Sequence, residues 1–308
     1  MNSSYHVPVM VREVSENLVH KNDGIYFDGT LGGGGHAEFV LDILGESAKY
    51  IGVDRDPEAI QSAKERLKRF KNFKAYQATF DQIDTVLKEE NISGVDGVLL
   101  DLGISSWQID QDLRGFSFRP GNELDMRMNQ GQQLTAGEIV NSYEKEDLKR
   151  VFKEYGEEKY SGKIAGRIIR FRENKTITKT QELTAIIDQC VDPRFAIKSY
   201  ARIFQALRIE VNDELNILQA TLDKMTSVLN KDGRLLVLTY HSLEDRIVKN
   251  FMRDMENPCT CPPELPVCVC GKEAQLKRHK PNFLTASNAE IKDNSRARSA
   301  KLRIAIKL

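Results

Sequence analysis

Residues Tyr26–Asp56 read YFDGTLGGGGHAEFVLDILGESAKYIGVDRD. The order is a strand, a run of four glycines, a helix, and a second strand that ends in acids. It predicts the opening of a doubly wound α/β fold. Glycines after the first strand let a ligand approach bare backbone, because no Cβ stands in the way. An acid about 20 residues further on suits ribose hydroxyls. The stretch therefore implies an adenosine-bearing cofactor, with Asp54 as the ribose-binding acid. Gly32–Ala37 also satisfies a loose G-x-G-x-x-A pattern, so the loop alone fits a dinucleotide as well as a methyl donor.

Outward from this stretch the β/α alternation continues. Val9–Leu18 has apolar residues at helical spacing, and His36–Leu44 reads as a helix with Phe39, Val40, Ile43 and Leu44 on one side. Asp56-Pro57 opens the next helix as N-cap and first helical residue. Phe73–Ala78 is a third strand with Phe80 just past its end. Val95–Leu102 (VDGVLLDL) is a nearly continuous apolar run, as expected of a parallel strand buried on both faces. The alternation then stops. From about residue 112 the chain is loop-like and afterwards helical, with candidates at 136–141, 145–155, 159–172, 180–191 and 203–230. A strand at 233–240, a helix at 242–255 and a terminal strand at 300–306 resume the pattern. The expected organisation is a core of residues 1–111 and 206–308 around a helical insertion at 112–205.

The 308 residues carry 45 basic and 45 acidic side chains, so bulk charge argues neither for nor against nucleic acid. No apolar run approaches the ~20 residues needed to span a bilayer, and the N-terminus shows no signal-peptide pattern. A cytoplasmic protein with no membrane partner is expected.

The end of the fourth strand separates the cofactor readings. An exocyclic amine is a poor nucleophile, because its lone pair is delocalised into the base. Enzymes that methylate one from S-adenosylmethionine place an acid or amide at this strand end, where it accepts the amine hydrogens and aims the lone pair. Asp101 in DLGISS stands there, followed by Ser105. Tyr240 and His241 follow the strand at 233–240, where they can face the target base. Ser242 and Asp245 also resemble a capping box, a purely structural reason for the same residues.

FDGTLGGGGHAEFVL, VDRDPEAI, DGVLLDLGISSWQID, RGFSF, LDMRM, YGEEKYSGKIAGRI, FQALRIEVNDEL, YHSLEDRIVK and RARSAKLRIA occur in this order over essentially the whole chain. They resemble the MraW-type bacterial ribosomal RNA (cytosine-N4)-methyltransferases. The resemblance implies a Rossmann-like class I S-adenosylmethionine-dependent core with an inserted helical, substrate-recognising domain. It further implies methyl transfer to the N4 amine of a cytidine in the decoding region of 16S ribosomal RNA, within assembled or partly assembled small subunits. Carried over position by position, it implies cofactor contacts at Gly34, Gly35, His36, Asp54, Phe80, Asp101 and Gln108. Asp54 would hold the ribose and Phe80 would lie against the adenine. Asp101, with His241 and Ser105, would form the catalytic set. Trp107 stands where the family usually has proline, and Tyr240 where phenylalanine is common. Two other readings share parts of the pattern: an NAD-dependent oxidoreductase on the same βαβ unit, and a non-catalytic RNA-binding protein that keeps the fold.

Basic residues gather in two places. Arg114, Arg119, Arg127, Lys163, Arg167, Arg170 and Arg172 lie in the insertion. Lys272, Lys277, Arg278, His279, Lys280, Arg296, Arg298, Lys301 and Arg303 lie in the tail. A neutral protein can bind RNA through such segregated surfaces. Cys190 in a helical pattern reads as core. Cys259-x-Cys261 and Cys268-x-Cys270 bring four thiols together, a set able to hold zinc. One-residue spacers are unusual for that purpose and the family motifs do not require a metal, so none is assigned.

Overall fold

Strand β1 (Ile25–Asp28) pairs in parallel with β2 (Lys49–Asp54) on one side and β4 (Val95–Asp101) on the other. In this computed structural model, which describes residues 8–103, 114–262, 267 and 269–308, β2 pairs onward with β3 (Phe73–Gln77). Strand β4 pairs with β5 (Leu229–Thr239), also in parallel. Antiparallel β7 (Lys301–Lys307) and β6 (Leu276–Arg278) complete a seven-stranded sheet of order β3-β2-β1-β4-β5-β7-β6. The chain reverses its direction of travel across the sheet between β1 and β4. In open α/β sheets a ligand crevice forms at such a point, outside the carboxyl ends of the strands.

Alternation along the strands sends side chains to two layers. Phe27, Ile51, Val98, Leu100, Leu235 and Val237 join a cluster with helices α4 (Ile83–Glu89), α10 (Glu214–Val228) and α11 (Ser242–Glu256). Tyr26, Tyr50, Leu99, Leu236 and Leu238 join another with α1 (Val11–Leu18), α2 (Gly35–Leu41) and α3 (Pro57–Arg66). Strand β4 is buried on both faces, as its apolar run predicts. Helix α3 starts as expected: the Asp56 side chain accepts the Glu58 N–H at 3.1 Å, with Pro57 at the first position. In α2 the buried face is Ala37, Val40 and Leu41, whereas Phe39 and Ile43 are exposed. The helix ends at Leu41, so the apolar spacing that continues to Leu44 belongs to a turn and not to a helical face.

Two compact units make up the chain: residues 1–103 with 215–308, and residues 104–214. The second boundary lies past the expected 205, because α9 (Ala196–Asn212) runs on to the end of the helical unit. That unit contains α5 (Ala136–Ser142), α6 (Lys145–Glu154), α7 (Ser161–Arg172), α8 (Thr180–Asp188) and α9 around its own core, which includes Phe152, Ile164, Ile168, Leu183, Ile187, Cys190, Ile203 and Leu207. Cys190 is thus a core residue, as its helical context predicts.

Candidate active site at the strand ends

The loop after β1 is built by glycine geometry. Gly32 and Gly34 have φ of 52° and 78°, in the left-handed region that glycine enters without strain. A Cβ on Gly34 would come within 2.9 Å of Leu67 Cδ1, so the loop is closed from beneath. Among the described residues a Cβ on Gly32 would meet only the Thr30 carbonyl oxygen, at 4.0 Å, so they leave open space over that residue. Gly29 is packed tighter, since a Cβ there would lie 2.6 Å from Leu100 and 2.8 Å from Phe80. Phe80 is buried, at the start of a short 3-10 turn whose Thr79 N–H donates to the Gln82 amide oxygen at 3.0 Å.

Asp54 ends β2 and links this loop to the next. Its Oδ2 accepts the Gly32 N–H at 2.8 Å and its Oδ1 accepts the Asp56 N–H at 2.9 Å. Each oxygen of a carboxylate can accept more than one hydrogen bond, so capacity remains for two hydroxyls. Burial raises its pKa, against the two backbone hydrogen bonds, which lower it.

Asp101 ends β4, and its side chain is 25% exposed. Its N–H donates to Thr30 Oγ1 at 2.6 Å, which ties the strand end to the glycine loop. Its Oδ1 accepts the Tyr240 hydroxyl at 2.7 Å. Its Oδ2 lies 3.3 Å from His36 Nε2, and both ring nitrogens of the buried His36 lack a hydrogen-bond partner among the described residues. Burial, then the neighbouring Asp101 charge, pushes the Tyr240 hydroxyl well above its ordinary pKa, so it stays a donor. Gly103 has φ of 118°, and a Cβ there would lie 3.2 Å from the Tyr240 ring.

Asp28, at the end of β1, is a site residue that the sequence reading does not single out. It is 1% exposed, accepts the Thr30 N–H at 3.0 Å and receives the Tyr50 hydroxyl at 3.0 Å. Burial raises its pKa to about 6; the Asp101 charge adds to the rise, and the hydrogen bonds and His36 oppose it. The signal available in the sequence is an acid ending the first strand immediately before the glycine loop.

His241 is the N-cap residue of α11, and its Nε2 lies 3.0 Å from Glu244 Oε1. The side chain that reaches back is Glu244, whose Oε2 accepts the Tyr240 N–H at 3.2 Å, and not Asp245. Asp245 instead receives Arg303 Nε at 2.6 Å and Lys301 Nζ at 3.1 Å. The structure therefore gathers the glycine loop, His36, Asp54, Phe80, Asp101 and Tyr240 at or next to the carboxyl ends of the strands, with His241 held by Glu244. Gln108 and Ser105 lie outside the described residues.

The basic segments change meaning. Buried Arg114 donates to the carbonyls of Arg127 and Met128 at 3.1 and 2.9 Å. Arg127 pairs with Asp125 at 2.8 Å, and Arg172 donates to the carbonyls of Val140 and Tyr143. Lys163 donates to the Cys190 carbonyl, Arg278 pairs with Glu256, and Arg303 is buried against Asp245. These cations are spent on the protein's own acceptors, partners that no local sequence pattern reveals. Arg119, Arg170, Lys272, Lys277, Lys280 and Arg298 stay exposed.

A family model described as "MraW methylase family" matches residues 3–308. A ribosomal RNA small subunit methyltransferase H from Clostridium botulinum (strain Loch Maree / Type A3) is 48% identical over 305 residues, covering 98% of this chain and 99% of that protein. Proteins of the same name from Halothermothrix orenii and Caldicellulosiruptor saccharolyticus are 44% and 43% identical, covering 97% and 98% of this chain and 97% and 99% of those proteins.

Proposed function

The chain belongs to the MraW methylase family and is an S-adenosylmethionine-dependent methyltransferase of small-subunit ribosomal RNA, and from that premise we propose how its residues act on the N4 amine of a cytidine in the decoding region of 16S ribosomal RNA. The oxidoreductase and the non-catalytic binding readings find no support beside this membership.

The residues present fit the methyl donor. The open space over Gly32 lets a ligand lie on backbone, and three acids end or adjoin the strands where a cationic group would sit. When bound, the donor supplies an electrophilic methyl on a sulfonium. Gly34, Gly35 and His36 are assigned to its methionine end, Asp54 to the ribose hydroxyls and Phe80 to the adenine. Gln108 is assigned to the same site from the family motif.

Asp101 is the positioning group for the amine. It would accept an N4 hydrogen, which turns the amine lone pair toward the donor's methyl, and the same carboxylate would take the proton that the amine gives up on methylation. Tyr240, by donating to Oδ1, fixes the carboxylate plane and leaves Oδ2 on the His36 side. The geometry at Asp101 is the observation that supports this reading best. Its work is orientation and charge placement, which preorganised groups supply most effectively. Ser105 and His241 are assigned supporting contacts to the base.

The helical unit is assigned to recognition of folded RNA, and the exposed cations named above, not the paired ones, to phosphates. The decoding region is structured, so assembled or partly assembled small subunits are the proposed substrate. The test is transfer of labelled methyl to small subunits and to naked 16S RNA from a strain lacking this protein, with the modified base mapped by mass spectrometry. Label on an N4-methylated cytidine, greater on subunits, is expected. Label on another base would overturn the target, and equal rates on a short oligonucleotide would overturn the subunit requirement.

A further inference from the structure

The segment between α11 and β6 is fastened at its base, and above it none of its described residues is buried. Gln275 N–H donates to the Met255 carbonyl at 2.9 Å, and Arg278 donates to Glu256 from both its backbone N–H (2.9 Å) and its Nε (2.6 Å). Between those anchors, from Asn257 to Gln275, none of the described residues is buried, and Val267 and Val269 are 71% and 75% exposed. A loop of this length has a closure cost, and its described residues supply no buried core to offset it. Small protein segments in that position are commonly stapled by a metal or by disulfides.

The described residues bring three thiols together. The sulfurs of Cys259, Cys261 and Cys270 all lie within 4.8 Å of one another. A one-residue spacer argues against a shared ligand site in a helix or a tight turn, but residues i and i+2 of an extended segment project to the same side. Zinc bound to thiolates at about 2.3 Å puts neighbouring sulfurs roughly 3.8 Å apart, so the observed cluster needs only a small contraction to close on an ion. Two further features favour thiolate ligands. The Val269 N–H donates to Cys261 Sγ at 3.4 Å, a hydrogen bond that stabilises sulfur carrying negative charge. Gly271, directly after Cys270, has φ of 64°, so the chain turns away immediately past the last of these thiols at a position where a side chain would be strained.

We propose that Cys259, Cys261 and Cys270 form a structural site for one zinc ion, which staples the α11–β6 loop. The site lies outside the strand-end crevice residues and does not depend on the methyltransferase reading. A donor set made of thiolates suits a structural role and not a catalytic one. The fourth thiol of the sequence, Cys268, lies outside the described residues.

The experiment uses the full chain, expressed with zinc supplementation and purified in reductant without chelator. About one zinc per chain by elemental analysis is expected. Co2+ added to the zinc-depleted, reduced chain should produce near-ultraviolet thiolate-to-metal absorption that added Zn2+ abolishes. Cys261→Ser and Cys270→Ser should each weaken zinc retention at least about tenfold, while Cys190→Ser, in the helical core, should not. Binding of S-adenosylhomocysteine by the two variants should match the parent, which shows that they fold. Zinc well below one equivalent both as purified and after Zn2+ addition would overturn the proposal. So would unchanged retention in both variants. If the variants do not fold, the parent chain decides: absence of the Co2+ charge-transfer band defeats the site.

Discussion

The strand ends of the α/β unit and the interior of the helical unit treat charge in opposite ways. At the strand ends, acids are held with capacity to spare. Asp54 keeps room on both oxygens, Asp101 is partly open, and both nitrogens of His36 lack a hydrogen-bond partner among the described residues, although Nε2 lies 3.3 Å from Asp101 Oδ2. In the helical unit many of the charges are used by the protein itself, although Glu158 Oε2 lacks a hydrogen-bond partner among the described residues. Arg208 and Glu214 pair at 2.8 Å, Glu182 is held down to about 2 first by Lys175, and Arg114, Arg127 and Arg172 close backbone carbonyls. Unused polar capacity in a partly buried place costs stability and is kept where a ligand will use it. Fully used capacity holds a shape. The contrast assigns methyl-transfer chemistry to the first region and, to the paired charges inside the second, the holding of the surface that meets RNA; each half can be broken separately.

The largest expected effect is at Asp101. Asp101→Ala should lower single-turnover methyl transfer by on the order of 10²–10³ or more, while affinity for S-adenosylhomocysteine, measured by calorimetry, changes less than about tenfold. A near-normal rate would remove Asp101 from the reaction. A collapse of affinity together with rate would make it a binding residue only.

The scaffold half breaks at Asn212. Buried near the end of α9, it accepts the Met128 N–H at 2.8 Å and donates to the carbonyls of Met126 and Arg208 at 2.8 and 2.9 Å. Asn212→Ala leaves these groups buried without their partner and should cost about 3 kcal/mol in denaturant unfolding. Affinity for S-adenosylhomocysteine should stay near the parent's, because the residues assigned to it, Gln108 apart, lie in the other unit. Equal loss of both would refute the division of labour.

How much of this contrast the sequence carries follows from what is local in it. The βαβ opening, the doubly buried β4 and the Asp56 cap rest on period and neighbouring residues, and all are found where expected. Strand β6, with three residues, and helix α12 (Asn288–Asp293), with six, are too short to show a period. The paired arginines look RNA-facing in the sequence because their acceptors are distant along the chain: Arg303 meets Asp245, and Arg172 meets Val140 and Tyr143. Glu290 illustrates the same limit. Its carboxylate accepts the Met10 N–H at 2.6 Å, a tie between the ends of the chain that no motif announces.

A smaller effect tests whether the spare acids cost stability. Asp28 has its pKa raised to about 6 from 3.8, mainly by burial. The folded state therefore binds more protons than the unfolded state between these values. Stability from the protonated carboxyl is fully present below about 3.8 and is lost as pH rises through about 6. Asp28→Asn should flatten that part of the pH–stability profile and raise stability at pH 7.5 by up to about 2–3 kcal/mol. Its methyl-donor affinity should fall, since a negative charge at the end of β1, beside the glycine loop, is gone. A profile as steep as the parent's would mean that Asp28 is not the group that titrates.

The smallest expected effect is at Tyr240, and it asks how far Asp101 depends on its neighbour. The Tyr240 hydroxyl occupies one acceptor site on Oδ1, and the ring lies against Gly103. Tyr240→Phe keeps the ring and its packing, removes the donor, and leaves Oδ1 partly solvated because the Asp101 side chain is 25% exposed. One hydrogen bond to a charged group is worth about 1.5–3 kcal/mol when its loss leaves the acceptor dry, and much less when water replaces it. The Asp101 backbone remains fastened through Thr30. A fall in kcat of no more than about fivefold, with KM for the donor unchanged, is the expected result. A loss approaching that of Asp101→Ala would show that the tyrosine, and not the strand end, aims the carboxylate.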